Sequence, residues 1–321
     1  MKRFLAILIV LALIAGGAWY WERQNWDAPG PLPAYKVVMV KPGDHVATIA
    51  GNLQQAGVIA NADLFRIGLR LRNRQTELKA GEYGFPAHVS LDDVTAILVS
   101  GESIEHKLTA PEGLTSQMIY DLVKADPVLV GNPGPVPPEG SLLPETYLFT
   151  RGETRQAMLK KMHDAQEKLL AEQWPARVGN LPIATPEQAI ILASIVEKET
   201  GIPEERRHIA AVFENRLRIG MKLQSDPTII YGITKGYPIG RRIRQSEIDA
   251  QTPYNTYVIP GLPAGPICNP GKDAIMAVLN PEGSDDLYFV ANGTGGHVFS
   301  ATMAEHEKNV ANWRKIHDAQ H

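Results

Sequence analysis

Two carboxylates, Glu197 and Glu199, stand at the end of a nearly all-apolar segment in the middle of this 321-residue chain. A carboxyl group that apolar neighbours desolvate has a raised pKa and can stay protonated at neutral pH. A protonated carboxyl group is what a general acid needs. The alternative is a solvated last turn of a helix, since Lys and Glu side chains are mostly exposed. Acid catalysis is therefore one of two hypotheses about these residues.

The segment that must position both carboxylates has the pattern of a single buried helix. Thr185 is a good N-cap, Pro186 suits the first helical position, and Gln188 completes a capping-box pattern. At about 100° per residue, Glu199 continues the apolar stripe of the preceding two turns, whereas Glu197 falls roughly on the other side. The helical period therefore favours Glu199 as the desolvated acid.

Four ordered stretches of the sequence carry a family resemblance. They are ASIVEKET, RRHIAAVFENRLRIGMKLQSDPTIIYG, TPYNTYVIPGLPAGPICNPG and DLYFVANGTGGHVFSATMAEH. Together they resemble the YceG-like (MltG) endolytic murein transglycosylases, and the similarity runs from about Val37 to near the C-terminus. In that family the catalytic glutamate is the second Glu of the EKE triplet, so the resemblance implies that Glu199 is the catalytic residue.

The resemblance also implies residues that contact substrate. Gln224 and Asp226 resemble a family motif near the active cleft, although a helix N-cap role alone would explain Asp226. Tyr254 and Asn255 belong to a loop rich in aromatics, amides, Gly and Pro. That mixture suits sugars, and it is equally typical of an ordered surface loop. The resemblance favours a substrate-binding role for both.

The reaction that the resemblance implies is non-hydrolytic cleavage between N-acetylmuramic acid and N-acetylglucosamine in nascent peptidoglycan strands, which terminates glycan elongation. Glu199 would protonate the glycosidic oxygen and then take the proton of the C6 hydroxyl, which closes on C1 as a 1,6-anhydro end. One carboxylate suffices because the nucleophile belongs to the substrate, unlike the carboxylate pair of glycosidases. Two alternatives remain open, a hydrolytic muramidase and an anchored murein-binding scaffold without catalysis.

The N-terminus predicts a membrane anchor. Lys2 and Arg3 precede an apolar run from Phe4 to about Trp21, which predicts a transmembrane helix over residues 4–22. The positive charges place residues 1–3 in the cytoplasm, so the rest of a single-pass inner-membrane protein would lie on the extracytoplasmic side. A cleaved signal peptide is the alternative, although its apolar core is usually shorter.

Beyond the apolar run, the pattern predicts an α+β protein. Residues 23–34 are Pro-rich and predict a linker, residues 35–103 a small LysM-like subdomain, and residues 104–321 a larger mixed α/β catalytic domain. The subdomain resembles modules that hold glycan chains, but a packing domain that binds nothing fits equally well. Most of the arginines that follow the central helix are expected to be solvated: Arg206, Arg207, Arg216 and Arg218.

Composition excludes several classes of function. A formal net charge of −3 gives no reason to expect nucleic acid, and no H-E-x-x-H or C-x-x-C motif predicts zinc, so no metal or cofactor is expected. The single Cys268 excludes an internal disulfide. Cys268 with His297 could form a thiol nucleophile, but only the two residue types support that alternative. The expected partners are glycan strands, the membrane and, from the resemblance, peptidoglycan synthases.

Overall fold

The computed structural model describes residues 2–320, without the side chains of residues 2, 3, 6, 18, 319 and 320. The chain divides into two compact units, Met1–His106 with Leu148–Gly152, and Lys107–Tyr147 with Glu153–His321. The described residues form an α+β fold, as predicted. The predicted domain boundary between residues 103 and 104 stays a prediction.

Capping side chains and one antiparallel strand pair define the first unit. Its elements in chain order are α1 (Lys2–Asp27), β1 (Lys36–Val40), α2 (Val46–Gln55), α3 (Ala62–Leu71), β2 (Gly81–Phe85) and α4 (Leu91–Ser100). Asn61 Oδ1 accepts hydrogen bonds from the backbone amides of Asp63 and Leu64 at 2.9 and 3.0 Å, which starts α3. Ser90 caps α4 in the same way. β1 pairs with β2 in antiparallel orientation.

The C-terminal end of α1 packs into the core of the first unit. Trp26 is 1% exposed, and its ring stacks on Phe65 with 5.9 Å between centroids. The Arg72 guanidinium lies 3.9 Å from the Trp26 ring centroid and pairs with Glu22 at 2.6 Å. Trp26 also donates its indole N–H to Asp92 at 2.9 Å. The last turns of α1 are therefore part of a folded core.

Within residues 2–320, no helix is long and apolar enough to cross a membrane. The prediction of a transmembrane helix over residues 4–22 is therefore wrong. Helix α1 continues without a break to Asp27, and its final turns are held by packing and an ion pair with the first unit. The segment predicted as a linker, residues 23–34, contributes Trp26 and Leu32 to the same core. Met1, part of the predicted cytoplasmic end, lies outside the described residues.

The second unit contains the remaining elements, except that the division between the units falls within two strands. These strands, β3 (Glu105–Thr109) and β4 (Thr146–Thr150), pair with each other. The others in chain order are α5 (Ser116–Ala125), α6 (Arg155–Gln173), α7 (Pro186–Glu199), α8 (Arg206–Arg218), α9 (Asp226–Thr234), α10 (Gln245–Ile248), α11 (Lys272–Leu279), β5 (Tyr288–Ala291), β6 (His297–Ser300) and α12 (Met303–Gln320). Strands β5 and β6 form an antiparallel hairpin that contacts α8 and α12.

Helix α7 lies in the core of the second unit, against α8 and α11. Its start is capped as predicted, since Thr185 Oγ1 accepts from the Gln188 amide at 3.3 Å. The Gln188 side chain in turn accepts from the Ala184 amide at 2.6 Å, one residue further out than a capping box requires. Six residues of its last three turns are fully buried: Ala189, Leu192, Ala193, Ser194, Ile195 and Val196. Glu199, the last residue of the helix, therefore follows turns that are held in place by the core.

Trp26→Ala tests whether the end of α1 belongs to the fold. Removing this buried ring should lower the free energy of unfolding of the first unit by about 3–5 kcal/mol. Trp21, which is 60% exposed on the same helix, is the matched control, and Trp21→Ala should change that free energy by less than about 0.5 kcal/mol. Urea denaturation followed by circular dichroism measures both. Equal effects of the two substitutions would contradict the packing described here.

Candidate active site

A cleft of about 520 Å³ opens in the second unit where α7 ends. Its lining residues come from segments that are far apart in sequence, namely the ends of α7 and α8, the residues before and at the start of α9, a later loop, β5 and α12. Tyr288, Phe289 and Met303 form an apolar part of the lining. The polar lining residues are Glu199, Arg216, Gln224, Asp226, Tyr257 and His306.

Glu199 is the last residue of α7, is half-buried and lines this cleft. Burial raises the pKa of Glu199 to about 7, and the neighbouring charge of Asp226 acts in the same direction. A hydrogen bond from the Ser225 hydroxyl to Oε1 opposes that rise, as do the nearby His297 and Arg216. Glu199 is therefore a carboxyl group that can hold or release a proton near neutral pH.

Glu197 is also half-buried but belongs to a different part of the unit. Its Oε2 accepts a hydrogen bond from the backbone amide of Gly271 at 3.0 Å, and it does not line the cleft. Burial raises the pKa of Glu197 as well, against the effect of that hydrogen bond. Glu197 thus ties α7 to the residue before α11, whereas Glu199 faces the cleft.

Gln224 and Asp226, predicted to bind substrate, both line the cleft with Glu199. Asp226 is the first residue of α9 and not its N-cap, which by position is Ser225. The Asp226 carboxylate accepts a hydrogen bond from the Tyr257 hydroxyl at 2.6 Å. Burial and this bond raise the pKa of Tyr257, so the phenol stays protonated. The N-cap explanation of Asp226 is therefore wrong.

Tyr254 and Asn255, the other two predicted binding residues, do not line this cleft. The Tyr254 ring packs on Tyr231 with 4.9 Å between centroids. Asn255 is 1% exposed, and its amide donates to the backbone carbonyls of Glu247, Ile248 and Ala250. With these hydrogen bonds Asn255 stabilises the loop to which it belongs.

Arg216 is a cleft residue that the sequence analysis missed, since it was grouped with solvated arginines. It is 7% exposed and donates to the carbonyls of Leu287 at 2.7 Å and of Leu223. Burial lowers the pKa of Arg216 from its usual value, although the guanidinium remains charged. The signal was present, because Arg216 follows the buried Ile209 by seven residues on the same helical face. Arg206 is buried too, at 8% exposed.

Two histidines lie near the cleft. The His306 ring stacks on Tyr288 with 5.1 Å between centroids, and its buried Nδ1 has no hydrogen-bond partner among the described residues. Burial and the charge of Arg216 lower the pKa of His306, so it is neutral at neutral pH. His297 is held by Glu205, which accepts from its Nδ1 at 2.7 Å and from its amide at 2.8 Å.

The thiol alternative loses its geometric basis. Cys268 is fully buried, and its Sγ lies 3.4 Å from the Ser194 carbonyl oxygen. Burial raises the pKa of Cys268 well above its usual value, so the thiol stays protonated and a poor nucleophile. His297 is instead engaged by Glu205.

Glu199→Gln tests the desolvation of the site through stability alone. In the unfolded chain Glu199 ionises near its ordinary pKa of about 4.5, but in the folded state near about 7. The folded protein therefore loses stability as the pH rises from the lower value through the higher one. The glutamine variant avoids this loss, so its advantage over the wild type should grow by up to about 2–3 kcal/mol between about pH 5 and about pH 8.

Denaturation curves at both pH values measure this difference. Glu187, in the first turn of the same helix, is the control, because backbone and Thr185 hydrogen bonds lower its pKa. Both pH values lie above its unfolded pKa of about 4.5, so Glu187→Gln should differ from the wild type by nearly the same amount at both. A constant difference for Glu199→Gln at both pH values would contradict a desolvated carboxyl group.

Comparison with known proteins identifies the family. Residues 38–312 match the YceG-like family. The endolytic murein transglycosylase of Streptococcus pneumoniae serotype 2 is 30% identical over 360 residues, which cover 96% of this chain and 64% of that protein. The endolytic murein transglycosylase of Bacillus subtilis strain 168 is 29% identical over 333 residues, covering 92% of this chain and 90% of that protein.

A solved structure is also similar. The crystal structure of a yceG-like protein from Listeria monocytogenes has a TM-score of 0.51 and 30% identity, and the match covers 85% of this chain and 98% of that one. The present chain spans 64% of the length of its Streptococcus pneumoniae relative. The family match extends over most of the sequence, through both units and every residue that lines the cleft. The chain therefore belongs to the YceG-like family.

Proposed function

We propose that this chain is a lytic transglycosylase that cleaves the glycan strands of peptidoglycan as an enzyme of the cell envelope. The observation that carries the proposal is Glu199, a carboxyl group with a pKa of about 7 that lines an open cleft. Relatives named endolytic murein transglycosylase support the substrate class. The family resemblance extends the proposal: the cleavage terminates nascent strands near the synthases that make them.

Glu199 is the group that moves the proton. In its acid form it donates the proton to the glycosidic oxygen between N-acetylmuramic acid and N-acetylglucosamine, and the bond from C1 to that oxygen breaks. The resulting carboxylate then takes the proton of the C6 hydroxyl, whose oxygen bonds to C1 and forms the 1,6-anhydro ring. The acid is thereby restored without water or a cofactor. A pKa near the working pH suits a group that must both give and take a proton.

The remaining cleft residues are proposed to bind and stabilise the substrate. Gln224 supplies an amide for sugar hydroxyls, and Asp226 places a negative charge in the cleft where positive charge develops at C1. The Tyr257 hydroxyl fixes the orientation of the Asp226 carboxylate. Tyr288 and Phe289 offer apolar surface for the faces of sugar rings.

A hydrolytic muramidase is the second candidate. Asp226 lines the same cleft as Glu199, and hydrolytic glycosidases use a pair of carboxylates. Mass spectrometry of the products released from murein sacculi distinguishes the two reactions. A product lighter by one water than the hydrolysed sugar supports the transglycosylase, and the hydrated sugar supports the muramidase. No product at all would contradict both.

Glu199→Gln should lower the cleavage of sacculi by about 10²- to 10⁴-fold, because the amide cannot donate or recover the proton. Glu197→Gln is the matched control, since a glutamine can still accept the hydrogen bond from Gly271. Its activity should stay within a few-fold of the wild type. Wild-type activity should also fall as the pH rises through about 7, where Glu199 loses its proton. An inactive Glu197→Gln beside an active Glu199→Gln would refute the assignment of the acid.

The first unit is proposed to be LysM-like and to hold glycan. Its elements follow the order strand, helix, helix, strand over β1, α2, α3 and β2, which supports that comparison. A cleft of about 790 Å³ lies between the start of α2 and α3. Ile67 and Leu71 line this cleft and are 55% and 63% exposed, so they offer apolar surface beside Arg66 and Arg70.

Replacing Ile67 and Leu71 together by serine should reduce the fraction of protein that co-sediments with sacculi, because the apolar surface for sugar rings is lost. Val37→Ser is the control, since Val37 is an exposed residue of the same unit outside the cleft. It should leave co-sedimentation unchanged. Unaltered binding by the double variant would leave the first unit without a role in holding glycan.

A further inference from the structure

Ser225 occupies the N-cap position of α9 but does not cap it. A serine at this position normally accepts a hydrogen bond from the amide two or three residues later. The Ser225 side chain makes no such bond. Its hydroxyl donates instead to Glu199 Oε1, and Ser225 is 1% exposed. The hydroxyl that would ordinarily stabilise the start of α9 therefore binds the Glu199 carboxyl group instead.

Two threonines hold Ser225 in this orientation. The Ser225 amide donates to Thr256 Oγ1 at 2.9 Å, and the Thr228 hydroxyl donates to the Ser225 carbonyl at 2.6 Å. The one hydroxyl proton of Thr228 is already donated to the Ser225 carbonyl. Thr256 must therefore be the donor in the 2.9 Å contact between the two hydroxyls. Thr228 and Thr256 are both fully buried. Every proton of the network therefore has a single assigned acceptor.

The residue before Ser225 has an unfavourable backbone conformation. Gln224 has a φ of +53°, which lies in the left-handed region and costs a non-glycine residue of order 1 kcal/mol. Its amide donates to the Thr256 carbonyl at 3.2 Å, so the same threonine holds it. Such conformations persist where the surroundings over-determine them, which is common at functional sites. Here the turn directs the next side chain at Glu199.

The position of the acidic proton follows from the number of protons. The Ser225 hydroxyl makes no other hydrogen bond among the described residues, so its one proton goes to Glu199 Oε1. An Oε1 that carried a proton itself would leave the Ser225 proton without that acceptor. Glu199 Oε2 has no hydrogen-bond partner in the described part of the chain. The proton of the acid therefore resides on Oε2.

We propose that Ser225 is a positioning residue for the catalytic acid, which holds Oε1 of Glu199 so that Oε2 alone gives and recovers the transferred proton. This inference rests on the proposed function of the cleft. A fixed carboxyl group presents its reactive oxygen in one orientation, which avoids the loss of rate that rotation of the side chain would cause. The bond also favours the charged form and so limits the rise in pKa that burial produces in Glu199.

Ser225→Ala tests the proposal. Loss of the hydrogen bond should raise the pKa of Glu199, so the decline of activity at high pH should move upward by about one to two pH units. The maximal rate should nevertheless fall, by about ten- to a hundredfold, because the carboxyl group can rotate. The pKa is measured directly by ¹³C NMR of labelled glutamate carboxyls, with Glu199→Gln identifying the signal. Helix α9 loses no cap bond, so circular dichroism should show a folded protein.

Two further variants keep the test decisive. Ser300→Ala is the matched control, because Ser300 is 5% exposed and its hydroxyl has no hydrogen-bond partner among the described residues. It should shift neither the NMR titration nor the pH profile. Thr256→Val removes the acceptor for the Ser225 amide and should shift both in the same direction as Ser225→Ala, by less. It also serves if the alanine variant does not fold.

The outcomes separate this inference from the proposed function. An unchanged Glu199 titration and pH profile in Ser225→Ala would overturn the positioning role, even if the rate fell. A wild-type protein that cleaves no glycan would refute the proposed function. The NMR titration would still decide whether Ser225 controls the ionisation of Glu199.

Discussion

The desolvation of one carboxyl group at the end of α7 is the constraint on which the cleft depends. Helix α7 must be apolar to pack against α8 and α11, and that packing brings its last residue into a region with little water. Ionising Glu199 there is costly, and Asp226 increases the cost. The Ser225 hydroxyl and the cation of Arg216 offset part of it. The balance leaves the pKa of Glu199 at about 7, so the group can both give and accept a proton near neutral pH.

Burial alone does not distinguish the two glutamates of this helix, because both are half-buried and both have a raised pKa. Their partners distinguish them. Glu197 accepts from a backbone amide of another segment and holds two parts of the unit together. Glu199 is bonded only by a side-chain hydroxyl among the described residues, and its second oxygen is left for the cleft. The two glutamates thus differ in their partners and in position, since only Glu199 lines the cleft.

Local pattern predicted the start of α7 and which of its two glutamates continues the apolar stripe, because caps and apolar period are properties of neighbouring residues, as at Thr185. The structure differs from the predictions where contacts between distant segments decide the outcome, because local pattern does not contain such contacts. An apolar run at the N-terminus predicted a membrane span, whereas the structure contains none among its described residues and buries Trp26 in a core. The substrate-binding role of Asn255 stays a prediction, and in the structure its amide donates to backbone carbonyls. The roles of Ser225 and Tyr257 depend on hydrogen bonds to Glu199 and Asp226, which lie about 30 residues away in the sequence.

The order in which the lining residues occur along the chain has a consequence for biosynthesis. Glu199 leaves the ribosome about a hundred residues before His306, and domains fold as their chains emerge. Until the β5–β6 hairpin and α12 dock, Arg216 lacks its partner at Leu287, and one side of the cleft is open to water. Water at Glu199 removes the desolvation that keeps its proton near neutral pH. In a growing or C-terminally clipped chain, Glu199 would therefore keep a pKa closer to that of an exposed glutamate until the last segment is in place.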